Sequence, residues 1–380
     1  MPTSSSASKC PFAGVAAVAH PEATTGGEMC SHARRKFAAA EQEASVVQVC
    51  PHHQPPSNLV EGGSKQGDSN RADWTSATSD ELKTHFTAAY NDNALHASSK
   101  QWSHEHVARV LMERLGYDEA QLRIIGPDVA LMQGTGNPHQ LAAVAAGETV
   151  VDLGSGFGLD AFLASAKCGP SGRVIGVDLS IKEVTAAITK SSQRRLQNVD
   201  FRLGDIEDLP ITTSSVDVVI SNGGFCLVPN KKKGFEEVFR VLRPGGRFTV
   251  SCTVRLGELQ AGLPWPSCMV VFMPLSDVHR TLTEIGFEHI VIDDSNSRMD
   301  VWDGDDNSKA NKGPAASAAP LRTAESNDTA DVASTELDAG VVADAKLTIH
   351  KGDERYRFLK EMDMSALFAR VNIFGRKPNR

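Results

Sequence analysis

Nowhere in its 380 residues does the chain hold about 20 consecutive apolar residues, the length a helix needs to cross a bilayer. Its first residues lack the charged-then-apolar order of a secretory signal. These two absences predict a cytoplasmic protein without a membrane partner. A mitochondrial presequence is the weaker alternative: the first 36 residues are rich in Ser and Ala and end in Arg34-Arg35-Lys36, but they also hold Glu22 and Glu28. Basic charge is in deficit, with 39 Lys and Arg against 47 Asp and Glu and a net charge of -8. That argues against nucleic acid, which is bound by clustered cations neutralising phosphates. The Lys231–Lys233 run reads as a solvated face. Cysteine is scarce and odd in number, seven in all, which suits reduced thiols better than a disulfide framework. No C-x-x-C pair occurs, so no metal site is expected.

What is present falls into five stretches. Residues 1–72 are dense in Ser, Ala, Gly, Pro and His and read as a disordered tail, with a candidate short helix over Ser31–Val47. Cys10, Cys30 and Cys50 recur there at equal spacing near His20, His32, His52 and His53. They read as scattered tail residues, with a soft-metal segment as the alternative. Residues 73–148 read as a helical cap, with helical patterns over Ser79–Tyr90 and His104–Leu115. Residues 149–294 alternate strand and helix. Strand-like runs lie at 149–153, 173–177, 199–203, 216–221, 247–252 and 289–293, with helical patterns at 159–166, 181–195, 232–242 and 276–285. Residues 295–344 read as a disordered insertion, and 345–380 as a return to the sheet with a strand over Ala366–Gly375. The expected fold is therefore α/β, a Rossmann-like doubly wound sheet of about seven strands with the last antiparallel.

The chemistry gathers at the strand ends. Val150–Asp160 reads V-V-D-L-G-S-G-F-G-L-D, a strand, a glycine turn and a helix start. Gly154, Gly156 and Gly158, with Ser155 between the first two, let the backbone turn tightly against a ligand. A glycine loop alone is a weak signal, but Asp152 stands just ahead of it. A carboxylate there would repel a pyrophosphate and welcome a cation, such as the sulfonium and ammonium of S-adenosylmethionine. The second strand ends at Asp178-Leu179, where a carboxylate can take ribose hydroxyls. Asp205 and Ile206 follow the third strand, placed for an adenine ring, and Asn222 ends the fourth, beside the reacting methyl. Each Asp could instead cap the helix that follows it. All three beside this loop make capping alone an insufficient account.

This order of motifs is that of class I methyltransferases, and the chain resembles the arsenite methyltransferase family over about 111–287. The resemblance is carried by L-G-Y-D-E-A-Q-L, by G-T-G-N-P at Gly134–Pro138, by A-A-G-E-T-V-V-D-L-G-S-G-F-G-L-D and by V-I-S-N-G-G-F-C-L-V-P. It implies an S-adenosylmethionine-dependent enzyme that moves a methyl group to trivalent arsenic held by cysteine thiolates. Glutathione or thioredoxin would be its reductant. The sequence departs from the family in having no cysteine between Cys50 and Cys168, and in having Gly223 where the family places a thiol after Ser-Asn. Cys226 and Cys268 remain as a candidate two-thiol site, with small buried core residues as the alternative. Cys168 and Cys252 read as structural. A relative that has lost the thiols would methylate an organic small molecule, for which His104, His106 and His279 are candidate bases. A cofactor-binding protein without catalysis is the third reading.

Overall fold

The computed structural model describes residues 73–100, 105–294 and 354–379. The expectations for 1–72, His104 and the 295–344 insertion lie outside these residues. Seven strands form one sheet: β1 Thr149–Leu153, β2 Arg173–Asp178, β3 Val199–Leu203, β4 Val216–Asn222, β5 Leu242–Arg255, β6 Glu288–Asp293 and β7 Phe368–Arg376. Their spatial order is β3-β2-β1-β4-β5-β7-β6. The first five run parallel, and β7 lies antiparallel between β5 and β6. The strand sequence from β1 outward reverses direction between β1 and β4, and that reversal opens a crevice at the carboxyl ends of the strands.

Helices α1 Ser79–Lys100, α2 Glu105–Arg114, α3 Glu119–Ile125 and the short α4 His139–Ala142 precede the sheet. Within it come α5 Leu159–Cys168, α6 Ile181–Gln193, α7 Lys231–Val241, the short α8 Ser267–Val271 and α9 Leu275–Ile285, and α10 Met364–Leu367 leads into β7.

Adjacent strand residues point to opposite faces, because side chains alternate across a pleated strand. Val150, Val174 and Val218 pack against Phe162 of α5 and Val184 of α6. Their neighbours Val151, Ile175 and Val219 belong to the core formed with Phe235 and Val238 of α7 and Leu282 of α9. Near-continuous apolar strands buried on both faces are what a helix-covered parallel sheet requires. A third cluster joins Met112, Leu122 and Ile125 to Phe157 and Leu163, tying the helices before the sheet to α5.

Three local differences from the sequence reading have physical causes. The strand expected to start at 247 begins at Leu242, so that Pro244-Gly245-Gly246 lies inside β5, where a register shift absorbs it. Helix α3 adds to the two helices expected before the sheet, with Asp118 and Gln121 forming a reciprocal capping box at its start. Lys231 is no part of a solvated face: its ammonium donates to the carbonyls of Cys226 at 2.9 Å, Val271 at 2.8 Å, and Val228. Burial lowers its pKa to about 8.

Candidate active site

At the carboxyl edge of β1, β2, β3 and β4 lies a cleft that Lys83, Phe86, Thr87 and Tyr90 of α1 also line. The turn after β1 forms its floor. Gly154 and Ser155 donate their N–H groups to the Val177 carbonyl at 2.8 and 3.1 Å, which bends the chain sharply off the sheet. Gly154 has a φ of 67° and faces Gly224 so closely that a Cβ on it would stand 2.6 Å from the Gly224 Cα. Backbone is thereby laid against the cleft with no side chain in the way.

Asp152, Gly154, Ser155, Gly156, Asp178, Leu179, Asp205, Ile206 and Asn222, all candidates from the sequence, line this cleft together. Gly158 does not line it. Its φ is 86° at the start of α5, and a Cβ would meet the Phe201 ring at 2.6 Å, so its place is between helix and sheet.

The carboxylates divide by what already holds them. Asp152 is 2% exposed, and its Oδ2 is buried with no hydrogen-bond partner. Burial first, then the nearby charges of Asp160 and Asp178, hold its carboxyl well above the usual range. Asp178 accepts the Gly156 N–H at 2.9 Å and the Ser180 N–H at 2.8 Å, so it braces the glycine turn and the start of α6. Asp205 accepts from Lys83 at 2.7 Å through Oδ2, and from the Glu207 N–H at 2.9 Å through Oδ1. Asp160 accepts from the Tyr117 hydroxyl at 2.7 Å and from the Asn222 amide at 3.1 Å.

Asn222 is a joint. Its Oδ1 accepts the N–H groups of Thr135 and Gly136 at 2.8 and 3.1 Å, and its Nδ2 donates to Tyr117 Oη at 2.8 Å and to the Gly136 carbonyl at 2.9 Å. The G-T-G-N-P segment is thus stitched to the end of β4. Gly134 is required there, since a Cβ would come within 2.1 Å of Asn222 Nδ2.

Cys226 and Cys268 do not line the cleft. The Cys226 thiol, 3% exposed, accepts the Thr253 N–H at 3.0 Å and shares a buried core with Cys252. Burial pushes the Cys226 thiol up, but the bond from Cys252, the Thr253 N–H and the Lys231 charge together hold it below its ordinary pKa. Cys252, read from the sequence as structural, lies in the same buried core as Cys226. Cys268 packs with Trp74, Leu82 and Phe86, and burial raises its pKa to about 11. His279 is exposed on α9 and apart from the cleft, and the side chain of His106 lies outside the described residues. No group of three or more metal-ligating side chains occurs among the described residues.

Lys83, Tyr90, Asp160 and Glu183 also line the cleft and were not singled out from sequence. Asp160 closes the glycine run and could have been read from it. Lys83 and Tyr90 lie on a helix far from the motifs, and no local pattern marks them.

Comparison with known proteins agrees with this geometry. Residues 145–295 match a protein-family model described as a methyltransferase domain. The chain is 40% identical over 201 residues to an arsenite methyltransferase of Halobacterium salinarum, covering 51% of this chain and 51% of that protein. It is 38% identical over 101 residues to a demethylmenaquinone methyltransferase of Lactococcus lactis, covering 27% and 40%. A solved arsenic (III) S-adenosylmethionine methyltransferase from Chlamydomonas reinhardtii is 20% identical, with 72% and 73% covered and a TM-score of 0.41. The chain is thus similar to arsenite methyltransferases, and it spans about half the length of the Halobacterium relative.

Proposed function

We propose that the chain is an S-adenosylmethionine-dependent methyltransferase acting on trivalent arsenic. The observation that carries the cofactor is the buried, unpartnered Oδ2 of Asp152 directly beneath the glycine turn. A buried carboxylate oxygen without a donor is costly, and a cationic ligand relieves that cost where a pyrophosphate would add to it. The cofactor supplies a methyl group on a sulfonium. Asp152 and Asp160 set carboxyl oxygens in the cleft for a cationic ligand, and the backbone of residues 154–156 leaves room for it.

Methyl transfer is an in-line displacement: the acceptor's lone pair forms the new bond to carbon as the carbon–sulfur bond breaks, and the electron pair stays on sulfur. Arsenic brings its own lone pair, so no general base is required, and orientation supplies most of the acceleration. The formal oxidation of arsenic is reversed by a thiol reductant of the glutathione or thioredoxin kind. The arsenic reading rests on the similarity to arsenite methyltransferases and on the lowered pKa of Cys226.

A second reading has its own observation. Cys226 and Cys268 stand off the cleft, while Phe86, Tyr90, Leu131, Met132 and Leu227 line it, which suits an apolar organic acceptor. Incubation with methyl-labelled cofactor, glutathione and arsenite separates the two. Labelled methylarsenic that disappears in Cys226→Ser supports the first reading. Cofactor binding with no methylated arsenic would sink it and leave the organic acceptor.

A further inference from the structure

Helix α7 opens on Lys231-Lys232-Lys233, with no acidic residue in its first turn. Cations at a helix start face the positive end of the helix dipole and weaken the helix, so the stability of α7 does not account for Lys231. Lys232 and Lys233 are exposed, whereas the Lys231 ammonium turns back onto the chain that precedes it. An ammonium has three N–H donors. Here they meet three main-chain carbonyls: Cys226 and Val228 in the turn after β4, and Val271 at the end of α8. The last carbonyls of a helix have no partner within it, so the donation to Val271 completes the end of α8. A cation withdrawn from water is costly, and what it secures here is a hold on two separate pieces of chain.

The two pieces belong to one wall. The sheet order places β2 and β3 on one side of β1 and β4 on the other. With the nucleoside end of the cofactor read toward the ends of β2 and β3, the end of β4 is the side left for the acceptor. Gly223, Gly224, Leu227 and Val228 line the cleft there. Helix α8 does not line it, but Cys268, Val270 and Val271 share an apolar cluster with Leu227 and with Phe86 and Tyr90 of α1. Phe86, Tyr90 and Leu227 all face the cleft.

We propose that Lys231 is a positioning residue for the methyl acceptor: its ammonium holds the turn after β4 and α8 as one unit, and so fixes the acceptor side of the cleft. This inference rests on the methyltransferase reading above and holds for either acceptor. The two thiols read from the sequence as a site share this one anchor, Cys226 through its own carbonyl and Cys268 through the helix that carries it. Loss of the ammonium frees both pieces at once, while the glycine turn keeps its own hydrogen bonds to Val177 and Asp178.

The test compares the full chain with Lys231→Met, which keeps the reach of the side chain and removes the cation and its donors. Alkylation by iodoacetamide is followed by mass spectrometry at Cys268 and at Cys168, a buried thiol packed with Phe162 and Val174. The ratio of the two rates separates local opening from a change in global stability. In Lys231→Met the ratio of Cys268 to Cys168 labelling is expected to rise about 10-fold, the effect of losing one hydrogen bond from a charged group. Calorimetric affinity for S-adenosylhomocysteine should change by less than about 3-fold. With labelled cofactor, glutathione and arsenite, KM for arsenite should rise about 10-fold and kcat stay within about 3-fold of the parent, the pattern of lost acceptor binding. An unchanged labelling ratio or arsenite KM overturns the assignment. So does S-adenosylhomocysteine affinity that falls in step with the rise in KM, which would make Lys231 a general brace. If Lys231→Met does not fold, Lys231→Gln is put to the same criteria. If the unaltered chain binds S-adenosylhomocysteine but methylates no arsenite, the arsenic reading fails alone, and the labelling ratio with the ligand affinity decides the role of Lys231. A chain that binds no S-adenosylhomocysteine overturns both.

Discussion

The ammonium of Lys83, on α1, lies 2.7 Å from Asp205 and 2.8 Å from Glu207 beyond the end of β3. Burial opposes its charge, but hydrogen bonds to the two carboxylates outweigh that and raise its pKa. Some two turns further along the helix, Asn91 Oδ1 accepts from Ser180 Oγ at 2.8 Å and from the Lys182 N–H at 3.2 Å. Helix α1 is thus fastened on both sides of the cleft that it covers.

Replacing Lys83 by Met should loosen one of these fastenings and leave Glu207, 4% exposed, without its cation. The expected loss is on the order of 1–3 kcal/mol in stability, with faster dissociation of S-adenosylhomocysteine. Stopped-flow displacement and a denaturant melt measure the two effects. An unchanged off-rate would show that α1 does not restrain the ligand.

Gly134→Ala places a methyl group where Asn222 Nδ2 now sits, at 2.1 Å. Overpacking of this kind costs about 1–3 kcal/mol, and here it also displaces the side chain that joins residues 135–136 to β4. A drop in melting temperature together with weaker ligand binding is expected. A variant as stable as the parent would mean that the 134–138 segment is not clamped by Asn222.

The contribution of Glu183 to the pH dependence of stability has a definite sign. Glu183 has a folded pKa of about 9 against an ordinary 4.5, so between those values the folded chain holds a proton that the unfolded chain has lost. Its contribution is therefore intact below about pH 4.5 and declines as pH rises toward 9. Asp152 and Asp178, both raised mainly by burial, act in the same direction. Lys231, lowered to about 8, adds stability with pH only above that point. His85, lowered from 6.5 by burial, opposes this as pH rises through that value, so in melts of ligand-free protein from about pH 5.5 to 7.5 the test is the difference from Glu183→Gln, which should lose less stability with rising pH than the parent. Identical slopes would contradict the buried placement of Glu183.

Cys226 owes its lowered pKa in part to the thiol of Cys252. Cys252→Ala should raise the Cys226 pKa and slow its reaction with a small disulfide reagent at neutral pH, several-fold if one hydrogen bond is lost. Cys268→Ala should leave that rate nearly as it was. Mass-resolved labelling of Cys226 would reveal the difference, and equal effects from the two variants would remove Cys252 from this role.

Sequence reasoning reached the sheet because its strands are short apolar runs closed by turns, as in V-V-D-L-G, and because each helix between them shows its own period. The antiparallel last strand was legible in A-L-F-A-R-V-N-I-F-G, but its place inside the sheet, between β5 and β6, was not, since strand order is set by pairing over long separations. The cleft-lining aspartates were legible from their position at strand ends, whereas their partners were not. Lys83 meets Asp205 across 122 residues, and Asn222 meets Thr135 across 87. Glu183 looks like any charged residue in the first turn of a helix; only the packing of Gln133 and the glycine turn around it makes it a cleft residue. Nor could the sequence show that Thr253 of β5 donates its N–H to the Cys226 thiol, a contact made across 27 residues.

The intercalated seventh strand also sets a timetable. Strand β5 exposes a bare hydrogen-bonding edge until Phe368–Arg376 arrives, and β6 has no neighbour to pair with before then. During synthesis the sheet can be assembled only as far as β5, and its closure waits for Phe368–Arg376. A chain cut short anywhere after β6 and before Phe368 would carry an open edge of parallel sheet, the kind of surface that recruits strands from other molecules.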